Sequence, residues 1–192
     1  MENDMDYRIA DTDDIAGAIN LQRQYLYANL SEEERAKGFV TTPFNEVQLR
    51  AIIEKRGLFI ADDNARIAGY AMAADWNYFL QWPIFCHMTG LFPDLIFGDI
   101  TITVENSFQY GPVCIHELYR GSGVFQELFN KMRHEMSALY SVGLTFINKI
   151  NTVSFNAHTR KTGLTVIGEF RFNNNEYHIL AFDTRKDQRC MN

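Results

Sequence analysis

The sequence predicts an α+β fold: one mixed sheet with helices on its faces. Three observations lead there. The chain has 192 residues, 46% of them hydrophobic, which is enough apolar material for one ordinary domain with its own core. Strand-like and helix-like apolar spacings alternate along it in the order β-α-α-β-β-(insert)-β-α-β-α-β-β. An early hairpin and a late strand–helix–strand unit then argue against a purely parallel nucleotide-binding sheet, which would need more crossovers.

The elements follow in that order. Residues 7–10 alternate and read as the first strand. Thr12 is placed to cap a helix over 13–30, with Asp13 and Asp14 at its positive end and Ile15, Ile19, Leu26 and Leu30 at helical spacing. The charged stretch 31–42 ends at Pro43. Asn45 with Gln48 forms a capping-box pattern before Leu49, Ile52 and Ile53, and Gly57 closes that helix. Residues 58–61 and 67–73 flank Asp62-Asp63-Asn64 as a hairpin. The long segment 77–103 reads as one or two short helices and a strand around 100–104. Residues 110–117 form a buried strand, because Val113, Cys114 and Ile115 run without a polar break. After Arg120-Gly121-Ser122-Gly123, a stripe of Val124, Phe125, Leu128, Phe129, Met132 and Met136 marks an amphipathic helix closed by Gly143. A buried strand at 144–150 and a short helix at 152–161 follow. Residues 166–172 and 177–182 flank Asn173-Asn174-Asn175, a turn that tolerates left-handed residues. The polar stretch 184–192 reads as a frayed end. The expected organisation is one domain over 1–185, with 77–103 inserted in it and a polar tail at 186–192.

Composition excludes several function classes. Lys and Arg number 18 against 24 Asp and Glu, a net charge of −6, so no basic surplus exists to neutralise a nucleic-acid backbone. Residues 1–6 lack a basic-then-apolar leader, which predicts a cytoplasmic protein. Cys86, Cys114 and Cys190 are widely spaced and form no CxxC pair, so reduced thiols are expected. The five histidines form no HxxxH or HExxH pair, so no metal site is expected. The most apolar stretch, 78–97, is interrupted by Gln81, Pro83, His87, Pro93 and Asp94, which argues against stable membrane insertion. A peripheral lipid-handling role stays as a third reading of that stretch. Aromatic residues make up 14% of the chain, and 78–97 concentrates Tyr78, Phe79, Trp82, Phe85, Phe92 and Phe97.

The chemistry concentrates where strand 110–117 feeds a glycine turn and a helix. A helix start leaves backbone N–H groups unpaired, and its dipole favours an anion there. Gly121 and Gly123 let a phosphate approach the backbone, and Ser122 is either a hydroxyl donor or a helix cap. Gln126 breaks a GxGxxG dinucleotide fingerprint, and no GK[ST] ending is present. A plain helix start with two turn glycines accounts for the spacing equally well.

Tyr119-Arg120-Gly121-Ser122-Gly123-Val124-Phe125 resembles the acyl-CoA pyrophosphate loop of the GNAT N-acetyltransferase superfamily, whose pattern is Gln/Arg-x-x-Gly-x-Gly/Ala. Arg120 and Gly123 match its first and fourth places; Phe125 stands where a small residue is usual. Asn151-Thr152-Val153-Ser154, running through His158 to Gly163 and Leu164, is similar to the family's Asn-x-x-Ala/Ser segment. The resemblance covers about residues 6–183. It implies a three-layer GNAT-like fold and direct transfer of acetyl from acetyl-CoA to a primary amine of a small molecule or peptide. The alternative it implies is a non-catalytic module of the same fold that binds CoA or a protein.

The resemblance also distributes roles. The cofactor set is Val113, Cys114 and Ile115 on the strand, Arg120, Gly121, Ser122, Gly123, Val124 and Phe125 on the loop, and Asn151 and Ser154 downstream. A strand N–H near Pro112–Cys114 polarises the thioester carbonyl. His158 stands near the tyrosine that protonates the CoA thiolate in relatives. Gln109 stands where relatives with a carboxylate base carry it, and Glu105 lies too far upstream. Glu117, Tyr110, His116 and a water chain remain as alternatives for the base. Alternation puts Tyr110 and His116 on one face and Glu117 on the other. Cys114 reads as a core thiol. In relatives the third and fourth strands are joined by a short turn, so 77–103 is an aromatic wall beside the acceptor, a homodimer contact, or a local extension packed on the sheet.

Overall fold

The computed structural model describes residues 5–64 and 66–186. In chain order the elements are β1 (Asp6–Ile9), α1 (Ile15–Tyr25), α2 (Glu32–Arg35), α3 (Glu46–Glu54), β2 (Leu58–Asp63), β3 (Arg66–Ala74), α4 (Trp76–Phe79), α5 (Pro83–Thr89), β4 (Ile96–Phe97), β5 (Ile100–Thr101), β6 (Ser107–Ile115), α6 (Val124–Met136), β7 (Val142–Asn148), α7 (Thr152–Lys161), β8 (Thr165–Phe172) and β9 (Asn175–Asp183). The chain divides into two compact units, one of 1–73 with 111–132 and one of 74–110 with 133–192. Strand β6 contributes to both: the strand order is β1-β2-β3-β6 in the first and β6-β7-β9-β8 in the second.

In the first unit, β1 and β2 pair antiparallel, as do β2 and β3. Arg8 on β1 ties this corner together. Its Nη1 lies 2.7 Å from Asp14 and its Nη2 2.9 Å from Asp62. Asp11, one residue before the expected Thr12, is the cap, and it crowns a 3₁₀ turn over Thr12–Asp14. Its carboxylate accepts from Asp13 N–H, while Asp14 accepts from Asp11 N–H, each at 2.8 Å.

Helix α1 stops at Tyr25, short of the expected 30. The competing force is pairing with a distant strand-like segment. Val40 N–H donates to Tyr25 C=O at 2.9 Å, and Tyr27 N–H donates to Val40 C=O at 2.8 Å. Those bonds draw Leu26 into extended backbone. The capping box of α3 forms as the sequence predicts, with Gln48 N–H on Asn45 Oδ1 at 2.9 Å and Asn45 N–H on Gln48 Oε1 at 3.0 Å. Leu49 and Ile52 then face the core.

In the second unit, β6 pairs parallel with β7 over Ser107–Gln109 and Val142–Leu144. β7 pairs antiparallel with β9, and β9 with β8. Asn173 and Asn174 take left-handed backbone in the β8–β9 turn, at φ +46° and +61°. Gly143 does not close a helix. It lies in β7, where an added Cβ would sit 2.1 Å from Cζ of Phe182. The ring needs the space a side chain would take. Thr184, expected in a frayed end, is buried and bonded: its Oγ1 donates to Tyr140 C=O at 2.7 Å, and its own C=O accepts from Arg133. Cys190 and the rest of 187–192 lie outside the described residues.

The insertion begins with α4 and α5, and the expected strand at 100–104 is instead a small β4–β5 hairpin. Its aromatics form a continuous packed chain. Phe79 meets Phe85 at 4.8 Å between ring centroids, Phe85 meets Phe146 of β7 at 5.2 Å, and Phe146 meets Phe170 and Tyr177 of the β8–β9 hairpin. Trp76 Nε1 donates to Ser107 Oγ at 3.1 Å. Phe79, Phe85, Met88 and Phe92 are buried. That packing favours the local-extension reading of 77–103. Among the described residues, no helix is long and apolar enough to cross a membrane.

Candidate functional site

The predicted strand–turn–helix forms in the first unit. β6 ends at Ile115, and His116 N–H still reaches Ala68 C=O of β3 at 2.9 Å. A 3₁₀ turn over Glu117–Tyr119 follows. Gly121 and Gly123 then take φ +83° and +93°, backbone that favours glycine. These two residues steer the chain into α6, a thirteen-residue helix. Glu127 N–H donates to Gly123 C=O at 3.1 Å, so the helical ladder starts here. The N–H groups of the first turn point out of that ladder, at the positive end of the dipole. A Cβ added to Gly121 or Gly123 would meet no atom within 4 Å. The turn therefore presents bare backbone to open space, which is what close approach of a phosphate requires.

The side chains of the turn mostly hold the turn. Ser122 Oγ donates to Tyr119 C=O at 2.7 Å. Arg120 donates through Nε to Ile115 C=O at 3.0 Å and through Nη1 to Lys37 C=O at 2.7 Å. Its guanidinium carbon lies 4.7 Å from the centre of the Tyr25 ring. Glu117 is exposed, and its N–H donates to the Tyr25 hydroxyl at 2.8 Å. His116 is approached by Arg66 Nη2 at 3.2 Å on Nε2 and by Leu118 N–H at 3.3 Å on Nδ1. Burial, and then Arg66, lower its pKa, so the ring is neutral at pH 7. Val124 is buried at the helix start, and Phe125 is half-buried.

On β6, Cys114 is buried, and burial pushes its thiol up to about 12. A thiol held in that state is a poor nucleophile, in keeping with a core role. Val113 and Ile115 beside it are half-buried. The expected strict alternation from Tyr110 to Glu117 fails for two reasons. Gly111 has φ +106°, and the strand ends before His116, which lies with Glu117 on the following turn.

The second unit holds the remaining candidates. Tyr110 is fully buried, and its ring centroid lies 5.6 Å from that of His158. Burial raises the Tyr110 phenol well above its ordinary pKa. His158 is buried on α7, and its Nδ1 lies 2.7 Å from Ser154 C=O, so Nδ1 carries the proton and Nε2 is the acceptor nitrogen. Burial lowers its pKa to about 4. Ser154 Oγ sits 3.3 Å from the same Nδ1. Asn151 caps α7, with its Oδ1 accepting from Ser154 N–H at 3.2 Å. Gln109 is buried, its Nε2 donates to Tyr110 C=O at 2.8 Å, and its Oε1 has no protein partner. Glu105 is exposed.

Sequence reasoning missed Tyr25, Lys37 and Arg66 at the turn. Tyr25 is 92 positions from Glu117 and Lys37 is 83 from Arg120, and no local pattern marks either.

No family model matches the chain, and no curated protein sequence does. Solved structures do match its fold. The yncA protein of Salmonella typhimurium, solved with its cofactor acetyl-CoA, is 16% identical over 96% of both chains, with a TM-score of 0.63. The ribosomal-protein-S18-alanine N-acetyltransferase of Escherichia coli is 12% identical over 98% of this chain and 99% of its own, with a TM-score of 0.61. The polyamine N-acetyltransferase of Drosophila melanogaster is 9% identical over 94% of this chain and 100% of its own, with a TM-score of 0.65. At these identities the likeness is one of architecture. The chain has the fold of the GNAT N-acetyltransferases, a mixed sheet that is mostly antiparallel and carries the glycine turn between β6 and α6.

Proposed function

We propose that the protein transfers an acyl group, acetyl in the first instance, from acetyl-CoA to a primary amine. The observation that carries this reading is the turn itself: two left-handed glycines with open space beside them, at the start of α6. The fold supports it, since similar structures include one solved with acetyl-CoA and others named for acetylating polyamines or a ribosomal-protein alanine. The net charge of −6 is compatible with a cationic acceptor.

In this reading the backbone N–H groups of Gly121, Gly123, Val124 and Phe125 hold the diphosphate, while Ser122 N–H donates within the turn to Tyr119 C=O at 3.4 Å. The β6 backbone at Val113, Cys114 and Ile115 takes the pantetheine and thioester end. Acetyl-CoA, when bound, supplies an activated acyl carbon and a thiolate leaving group. The amine nitrogen forms the new C–N bond as the C–S bond breaks. One proton leaves the nitrogen, and the thiolate takes one up.

Glu117, exposed at the turn, is the proton acceptor we propose. Tyr110 and His158 suit proton transfer less well, because burial opposes the charge each would take on: the phenolate left when Tyr110 donates, and the imidazolium formed when His158, whose pKa burial lowers to about 4, accepts.

The test pairs calorimetric titration of CoA with a thiol-detection assay across a panel of amines. Amine-dependent CoA release above hydrolysis supports the transferase. Binding of CoA with no release on any amine moves the reading to a non-catalytic module, and absence of CoA binding removes both.

A further inference from the structure

Arg120 is the residue of the turn best suited by charge to grip a phosphate, yet its guanidinium is held inside the protein by two of its donors and by a ring. Nε bonds Ile115 C=O at 3.0 Å, Nη1 bonds Lys37 C=O at 2.7 Å, and the guanidinium lies over the Tyr25 ring at 4.7 Å. The Tyr25 hydroxyl in turn accepts from Glu117 N–H at 2.8 Å. The two contacts form one clamp. A planar fork that bonds two carbonyls while stacking on a ring is a task for guanidinium and not for a point charge.

The clamp joins the turn to a self-contained loop. Residues 26–40 close on themselves through Tyr27 N–H to Val40 C=O and Val40 N–H to Tyr25 C=O. Inside that ring, Arg35 lies over Tyr27 at 3.9 Å and donates through Nε to Tyr27 C=O at 3.1 Å. Tyr27 and Phe39 meet edge to face at 4.9 Å. The loop packs by its own side chains, and Lys37 C=O is where Arg120 fastens it to the glycine turn. All of these residues belong to the first unit.

We infer that Arg120 is a positioning residue: it locks loop 26–40 to the glycine turn through Lys37 C=O and the Tyr25 ring, and so sets the shape in which the turn binds its anion. The inference rests on the proposed CoA reading for its functional consequence, but the clamp itself exists without a ligand. Binding at the turn and order in loop 26–40 are then linked, each strengthening the other.

Hydrogen–deuterium exchange of the ligand-free protein tests the clamp, so its outcome does not depend on CoA binding. Arg120→Lys keeps the charge and loses the fork. We expect exchange across 27–40 to rise about fivefold or more in Arg120→Lys and in Arg120→Ala, the scale of one lost net hydrogen bond. Tyr25→Phe keeps the ring and removes the hydroxyl, and we expect a smaller rise in the same peptide. In CoA titrations Arg120→Lys is expected to lose affinity as Arg120→Ala does. Wild-type exchange at 27–40 in Arg120→Lys and Arg120→Ala overturns the clamp. Retention of CoA affinity by Arg120→Lys alone, with loss in Arg120→Ala, overturns the positioning role and makes the charge a direct phosphate ligand. If the wild-type protein binds no CoA, the proposed function fails while the exchange result still decides the clamp.

Discussion

Replacing Gly123 by alanine separates the cost of the turn's shape from the work the turn does. At φ +93° an L-residue is strained, and left-handed backbone costs about 1–2 kcal/mol. No clash adds to that, since the new Cβ meets no atom within 4 Å. For a chain of this size the strain lowers Tm by about 2–8 °C, well short of unfolding. Gly98 is a matched control: it also has positive φ, at +61°, and its Cβ position is also open. Gly98→Ala therefore carries a similar strain away from the turn. In Gly123→Ala the methyl occupies the open side where the diphosphate is proposed to lie. Calorimetry should show CoA affinity falling about tenfold or more, equivalent to about 1.4 kcal/mol, with little change in Gly98→Ala. Undiminished CoA affinity in Gly123→Ala, or an equal loss in Gly98→Ala, would refute the reasoning.

Three further outcomes follow from the structure. His158 has a folded pKa of about 4 against an ordinary 6.5, so the unfolded chain binds its proton first on acidification. Its contribution is complete above pH 6.5 and is lost progressively as pH falls towards 4, on the order of 3 kcal/mol in all. Thermal melts from pH 7 to 4 should therefore fall more steeply for wild type than for His158→Gln, and parallel curves would contradict the buried neutral ring. Gly143→Ala drives a Cβ to 2.1 Å from Phe182, which predicts a loss of about 1–3 kcal/mol or more. Combining it with Phe182→Leu should recover part of that loss in denaturant melts, and strict additivity would show that the ring is not the obstacle. Deleting 78–97 removes Phe79, Phe85 and Met88 from a packed core, so circular dichroism should show loss of structure; a folded protein with altered acceptor choice would restore the substrate-wall reading.

What the sequence shows of this molecule is what local chemistry decides. The Asn45–Gln48 box, the Asn173-Asn174 turn and the strand–glycine–helix unit around Gly121 each act within a few residues, and each forms where its pattern predicts. The departures come from distant partners. Val40 ends α1 by taking the bonds around Leu26, and the Phe182 ring, rather than a helix terminus, explains Gly143. The aromatic surplus of 78–97 is visible as composition, but the packing of Phe85 against Phe146, which in turn meets Tyr177, needs strands brought from later in the chain. At the candidate site the glycines are legible because only their backbone freedom suits the turn. Burial of His158, which moves its pKa from near neutrality to about 4, is a tertiary property that no spacing encodes. The commitment of Arg120 to Lys37 is of the same kind.

The most direct test of the central claim is a CoA titration followed by backbone amide resonances of the labelled protein. If the glycine turn holds the diphosphate, the amides of Gly121, Gly123, Val124 and Phe125 shift together and saturate with a single affinity. Saturable CoA binding that leaves those four amides unmoved would contradict it.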